Sequence, residues 1–256
     1  MKIVACVKAV PEEQDISIKP DHTLDLSKAE LKVGQYDLNA VEAAVQLQEA
    51  TGSEEPLLVS IGTPKGLKNT KLQKAMLSRG AGALFGVADD SLDSIDALTT
   101  ASILAAAITK IGGVDLVVCG EGSGDIYSQQ VGPLLGQLLG FANLNAVSRI
   151  TPRGEKLEVE RTLENEVEVL EVTLPAVLSV TTDINKARIP GLKEILAAGK
   201  KPITVWGSGD LAMTAASNIE VISTLAPPKA ERKQIVLEGD SDENISQLAD
   251  NLRKVL

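Results

Sequence analysis

Residues 114–140, VDLVVCGEGSGDIYSQQVGPLLGQLLG, restrict the possible folds more than any other stretch of this chain. Val114 to Cys119 is short, apolar and β-branched, which predicts a buried strand. Gly120, Gly122 and Gly124 follow, then Asp125, then a helical pattern from about Ile126 to Leu139. A strand, a glycine-rich turn and a helix start are the parts of a phosphate cradle. Glycine lets backbone approach an anion closely, and the unpaired N–H groups of a helix start point toward it. The spacing is not a dinucleotide fingerprint, because counting from Gly120 puts Asp125 where the third glycine belongs. It is not a P-loop, because no Gly-Lys-Ser/Thr follows. The residues alone therefore predict a nucleotide or phosphate site of unspecified type, with a plain strand-to-helix turn as the alternative.

The same unit recurs upstream. Lys2 to Val7 reads as a strand, Asp37 to Ala50 as a helix with Leu38, Val41, Ala44, Val45 and Leu47 on one stripe, and Leu57 to Ile61 as a strand. Leu67 to Ser78 reads as a helix capped at Gly80, Ala83 to Val87 as a strand, and Leu98 to Ile111 as an alanine-rich helix closed by Gly112-Gly113. This alternation predicts an α/β fold: a doubly wound, mostly parallel Rossmann-like sheet with right-handed crossovers. In such sheets ligands lie beyond the carboxyl ends of strands. The loops after Val7, Ile61 and Cys119 are thereby placed at one rim. Between the first strand and first helix, DISIK and TLDLS alternate and predict a small hairpin.

After Gly140 the texture changes. Ala146–Ile150, Lys156–Thr162 and Val167–Thr173 alternate polar and apolar around a turn at Pro152-Arg153-Gly154, as added antiparallel strands do. Ala176–Val180 is a fully apolar strand. Asp183 to Lys201 is a basic island with an apolar centre, Ile189-Pro190-Gly191-Leu192, and Ile203–Trp206 reads as one more strand. No period is visible from Gly207 to Arg232, and Asp242 to Leu256 reads as an amphipathic helix. The chain thus divides into a main domain, residues 1–206, and a C-terminal arm, residues 207–256.

Composition excludes several classes. The formal net charge is −10, which opposes nucleic acid and anionic membrane as general partners. No run of 18 apolar residues exists, so no membrane insertion is expected. Met1 leads straight into a strand pattern without a cleavage region, so a cytoplasmic location is expected. Cys6 and Cys119 each sit inside an apolar strand, as buried reduced thiols do. His22 stands alone, with no second histidine or cysteine beside it to build a metal set or a catalytic triad.

Four stretches carry a resemblance to a known family: VACVKAVPEEQD, GQYDLNAVEAAVQL, GEGSGDIYSQQVGP and, most specifically, VERTLENEVEVLEVTLPAVLS. Together they resemble the β subunit of an electron transfer flavoprotein. The last stretch matches at Val159, Arg161, Glu164, Glu166, Glu168, Leu170, Pro175, Val177, Leu178 and Ser179 and departs at Asn165. GQYDLNAVEAA, MLSRGA and TTDIN are similar to the Fix-type branch of enterobacteria.

The resemblance implies a heterodimer with an α subunit that holds most of the electron-carrying FAD. It also implies a second nucleotide in this chain, AMP or, in bifurcating members, a second FAD. By resemblance the nucleotide contacts are Cys6, Lys8, Ile61, Gly62, Gly120, Asp125, Ser128, Gln129, Gln130 and Val131. Asp125 is expected as the N-cap of the following helix, and Gln129 and Gln130 as donors to phosphate oxygens. Tyr36 matches an aromatic close to the α-bound flavin. Residues 183–201 match a recognition loop for redox partners, with Leu192 as apolar anchor and Lys200 and Lys201 beside it. Gly34 replaces a usual Asn, Ile126-Tyr127 replaces a small or acidic pair, and Val131-Gly132-Pro133 is nearer the bifurcating pattern, so AMP and a second FAD both stay open.

The function implied is an electron carrier between an acyl-CoA dehydrogenase-like or carnitine-linked redox partner and a flavoprotein–quinone oxidoreductase. No general acid, base or nucleophile of its own is expected. The alternatives are a bifurcating complex with two flavins and a self-standing nucleotide-binding regulator resembling the universal stress proteins.

Overall fold

The computed structural model describes residues 1–211, 217, 219–228 and 234–254. The chain divides into two compact units, residues 1–17 with 25–223, and residues 18–24 with 224–256.

The first unit starts with β1 (Ile3–Cys6), in which all four residues are buried. Burial on both faces explains the unbroken apolar run. Ile3 and Ala5 belong to one core, Val4 and Cys6 to the other. β2 (Ala9–Pro11) follows, and after the small hairpin of β3 (Ser17–Ile18) and β4 (Leu24–Asp25) it pairs antiparallel with β5 (Leu31–Val33). α1 (Gln35–Thr51) ends at Gly52 in the left-handed region, φ 65°. Then come β6 (Leu57–Gly62), α2 (Pro64–Leu67), α3 (Thr70–Leu77) and β7 (Ala83–Ala88). α4 (Ala97–Ile111), β8 (Leu116–Gly120) and α5 (Val131–Leu139) complete the regular alternation.

β9 (Ala142–Arg153), β10 (Lys156–Thr162), β11 (Val167–Thr173) and β12 (Ala176–Val180) extend the sheet on one side. α6 (Leu192–Ala198) and β13 (Ile203–Trp206) close the other. The nine strands run in the order β11-β10-β9-β12-β8-β1-β6-β7-β13. All neighbours from β9 to β13 are parallel, and only β10 and β11 are attached antiparallel. The fold is therefore α/β with a mostly parallel Rossmann-like sheet, as the alternation predicts. One core gathers α1 and α3 against the sheet, the other α4 and α5.

The strand expected at Ala146–Ile150 spans Ala142–Arg153 and, although antiparallel to β10, is parallel to β12. Three further boundaries differ from expectation for local reasons. The helix expected over Leu67–Ser78 is two helices. Asn69 takes extended backbone, and its side-chain oxygen accepts from Lys71 N (3.0 Å) and Leu72 N (3.2 Å), starting a new helix there. The turn expected at Pro152-Arg153-Gly154 lies at Gly154-Glu155, and Pro152 pairs with Leu157 inside the ladder. The helix expected from Ile126 begins only at Val131, because Tyr127 (φ 51°) and Gln129 (φ 56°) are left-handed and no helix propagates through them.

In the second unit, Ala226 N donates to His22 O at 2.9 Å beside a bridge between Thr23 and Leu225. α7 (Asp242–Arg253) is capped by Ser241, whose hydroxyl accepts from Asn244 N at 3.3 Å. Of the stretch expected to lack a period, residues 212–216, 218 and 229–232 lie outside the described residues, as do residues 255 and 256 of the expected terminal helix. Among the described residues no helix is long and apolar enough to cross a membrane.

Candidate functional site at the mouth of the parallel sheet

β1 lies between β8 and β6, in registers that pair Val4 with Val117 and with Leu57. The same register sets Cys6 beside Cys119. Both thiols are free and buried. The hydrogen bond to Cys119, with burial, holds the Cys6 thiol well above its ordinary range, so it stays protonated. Gly62 ends β6, and a Cβ built on it would meet nothing within 4 Å, so the space above that strand end is open.

Gly120 ends β8 against the start of α1. A Cβ there would lie 2.6 Å from Tyr36 Cβ and 2.9 Å from its carbonyl carbon, so this approach requires glycine. The contact brings Asp37 under the loop. Its Oδ2 accepts from Lys8 N at 2.7 Å, and its carboxyl also takes the Gly120 N–H. Asp37 is only 7% exposed. Burial pushes its pKa up to about 7, and the two amides and the Lys8 charge only partly offset that. One carboxyl thus ties together the ends of β1 and β8 and the first turn of α1.

The loop 121–130 is mostly exposed. Lys8 Nζ donates to both Asp125 oxygens, at 2.9 and 2.7 Å. Burial raises the Asp125 carboxyl, but Lys8, Ser123 and the Ile126 N–H outweigh it and hold it below the usual carboxylate range. Asp125 is therefore not the cap of α5. That position is Gln130, which makes no side-chain cap, and Asp125 instead accepts from its own neighbour Ile126 N at 2.9 Å. Four residues, 126–129, separate Asp125 from Gln130, which is why the N-cap expectation fails.

The Tyr127 ring folds over Gly122 and lies 5.2 Å from the Tyr36 ring. Desolvation and the Glu121 carboxylate push its hydroxyl up to about 12. Gln129 Nε2 donates to that hydroxyl at 3.2 Å. Ser128, Gln129 and Gln130 stand exposed, and the loop delivers them to the start of α5. There Gly132 is pressed on β12: a Cβ would collide with Ser179 Oγ, a buried hydroxyl without a hydrogen-bond partner. Gly124 faces open space.

The fold thus gathers Cys6, Lys8, Gly120 and Asp125 directly, with Ser128, Gln129, Gln130 and Val131 at the adjoining helix start. Ile61 and Gly62 lie at the neighbouring strand end. These groups fit an anionic nucleotide: free amides at a helix start, amide and hydroxyl donors, one ammonium and glycine-lined open space. Two strained non-glycine residues in the same loop match the habit of binding loops to store backbone strain. Asp37 and Tyr127 were not singled out from sequence as site residues. An acid in the first turn of a helix is ordinary there, and only the fold shows it buried.

Away from this mouth, residues 183–191 run irregularly into α6. Leu192 is 74% exposed and Ile189 91%. Lys200 is exposed, whereas Lys201 is turned onto the domain, its ammonium 2.5 Å from Ala81 O and 3.7 Å from Glu55. Arg188 is bound to Glu42 and Glu49 of α1, which pins the loop. Burial works against the Glu42 carboxylate, and Arg188 and Gln46 outweigh it and hold it low.

The model of the electron transfer flavoprotein domain matches residues 22–211. That span takes in the rim of β6 and β8, the loop 121–130 and residues 183–201. With most of the chain matched and the mostly parallel sheet in place, the chain belongs to the electron transfer flavoprotein family, a flavin-associated family of electron transport.

Proposed function

We propose that the chain is the β subunit of an electron transfer flavoprotein. It pairs with an α subunit that holds most of the FAD and carries electrons between an acyl-CoA- or carnitine-linked redox partner and a flavoprotein–quinone oxidoreductase. FAD, when bound, supplies reversible uptake of electrons. This chain's residues hold, orient and shield.

The observation that carries the reading is the mouth over β1, β6 and β8. There Ser128, Gln129 and Gln130 stand exposed before the start of α5, and Lys8 is strapped to Asp125 across the loop. Cys6, Lys8, Ile61, Gly62, Gly120, Ser128, Gln129, Gln130 and Val131 would hold the adenylate part of AMP or of a second FAD. In this reading Asp125 keeps Lys8 and the loop in place. Tyr36, its ring tilted against that of Tyr127, offers an aromatic face to the flavin held by the partner subunit. Residues 183–201 dock redox partners through Leu192, with Lys200 at its rim and Lys201 bracing the base of the loop. Residues 207–256 act as an arm on the α subunit. α7 supports this with Ile245, Leu248 and Leu252 at helical spacing, each about half exposed.

The test is the nucleotide content of the co-purified complex. One FAD and one AMP per heterodimer supports the carrier. Two FAD supports the bifurcating form, for which Val131-Gly132-Pro133 speaks. A homodimer without a partner subunit or flavin overturns both. Gln130→Ala is expected to lower retention of the nucleotide through gel filtration.

A further inference from the structure

A second hollow lies away from the mouth, between the first turn of α1, the end of α3 and the segment after β12. It has a volume of about 420 Å³, and Gln35, Leu38, Asn39, Arg79, Asn185 and Lys186 are among its lining residues, with Ala187, Arg188 and Ile189 at one side.

Its charge is unbalanced. Arg188 is neutralised by Glu42 and Glu49. Among the described residues no carboxylate lies within ion-pair distance of Arg79 or of Lys186. Arg79 Nη1 donates to Ala75 O, but its Nε is buried and has no hydrogen-bond partner. Burial also lowers the Arg79 pKa. A partly buried guanidinium with one donor left over is destabilised, and an oxyanion in the hollow offsets that by accepting from the planar fork. Lys186 adds a second positive charge at the exposed edge, in a chain whose net charge is −10.

The walls are fixed. Asn39 Nδ2 donates to Asn185 O at 2.9 Å, and Asn185 Nδ2 donates back to Asn39 O at 3.0 Å, so α1 and the segment after β12 hold each other. Among the described residues no aromatic ring lines the hollow to stack a base or a flavin, while Leu38, Ala187 and Ile189 offer aliphatic contact. We infer that this cavity binds a small aliphatic oxyanion, a carboxylate or phosphate compound, through Arg79 with Lys186 as the second charge. No proposed nucleotide contact lies in this hollow, but Asn185 to Ile189 belong to the segment proposed above to dock redox partners, so the binding measurement here is made without that partner.

The experiment is calorimetric titration of the full chain, with any subunit that co-purifies, using succinate in one arm and inorganic phosphate in the other. Sodium chloride at matched ionic strength is the reference. Saturable binding of succinate, phosphate or both supports the site, and the arms distinguish carboxylate from phosphate. Arg79→Gln is expected to weaken binding at least about tenfold, since a charged hydrogen bond is lost. Lys186→Gln should weaken it by a smaller factor. Should Arg79→Gln not fold, the exposed Lys186→Gln carries the test alone. Heats no larger than those of chloride, or unchanged binding in the variant that folds, overturn the inference.

Discussion

Asp37 is where sequence and solvent are most at odds. A carboxyl in the first turn of a helix ordinarily gains from the helix dipole and stays ionised. Here it is enclosed by the ends of β1 and β8, and burial raises its pKa to about 7. The consequence for stability has a definite sign. Between about pH 4 and pH 7 the unfolded chain has lost this proton while the folded chain keeps it. Stability contributed by the neutral form is therefore full below pH 4, falls as pH rises toward 7, and is flat above. The drop is on the order of 4 kcal/mol if Asp37 acts alone. Asp37→Asn should flatten the dependence of the urea midpoint on pH between about 4 and 7. A slope equal to that of the natural chain would show that another group carries it.

At the scale of elements, the site depends on how closely α5 lies on β12. Gly132 has no room for a methyl group because Ser179 Oγ occupies that place. Gly132→Ala gains about 1 kcal/mol of helix propensity but overpacks the junction at about 1–3 kcal/mol, for a net loss of stability. Ser179→Ala in the same chain should restore most of it, since the clashing atom is a buried hydroxyl that makes no hydrogen bond. Urea denaturation of the two single variants and the double variant measures the coupling. Additive effects would mean that the helix start relaxes away from the strand.

At the scale of the whole molecule, the proposed carrier uses separate surfaces for holding a nucleotide and for meeting a partner. Leu192 is 74% exposed at the first residue of α6, on a loop pinned by Arg188 to α1. A single exposed aliphatic with a charged rim suits a weak, rapidly exchanging contact. Leu192→Ala should slow electron transfer to the partner in stopped-flow measurements while flavin content stays the same. Equal rates in variant and natural chain would remove Leu192 from docking.

Much of this architecture was legible in the residues. The alternation of apolar runs with helical stripes determined the parallel sheet, because a strand buried on both faces is apolar along almost its whole length, here with only Ser60 and Ser179 inserted, and a helix must bury a stripe. IVAC, LLVSIG, LVVC and AVLSV all fell where expected. The glycines after Cys119 marked the mouth, because only glycine tolerates the approach of Tyr36. What the tertiary structure decided were features set by partners far away in sequence. The late start of α5 depends on left-handed Tyr127 and Gln129, which an apolar period does not register. Lys8 meets Asp125 across 117 residues, and Arg188 meets Glu42 across 146. The burial of Asp37 and the unpaired guanidinium of Arg79 likewise exist only once the strands and helices are assembled. A charge advertises its type in sequence, whereas its cost is set by the neighbours that exclude water from it.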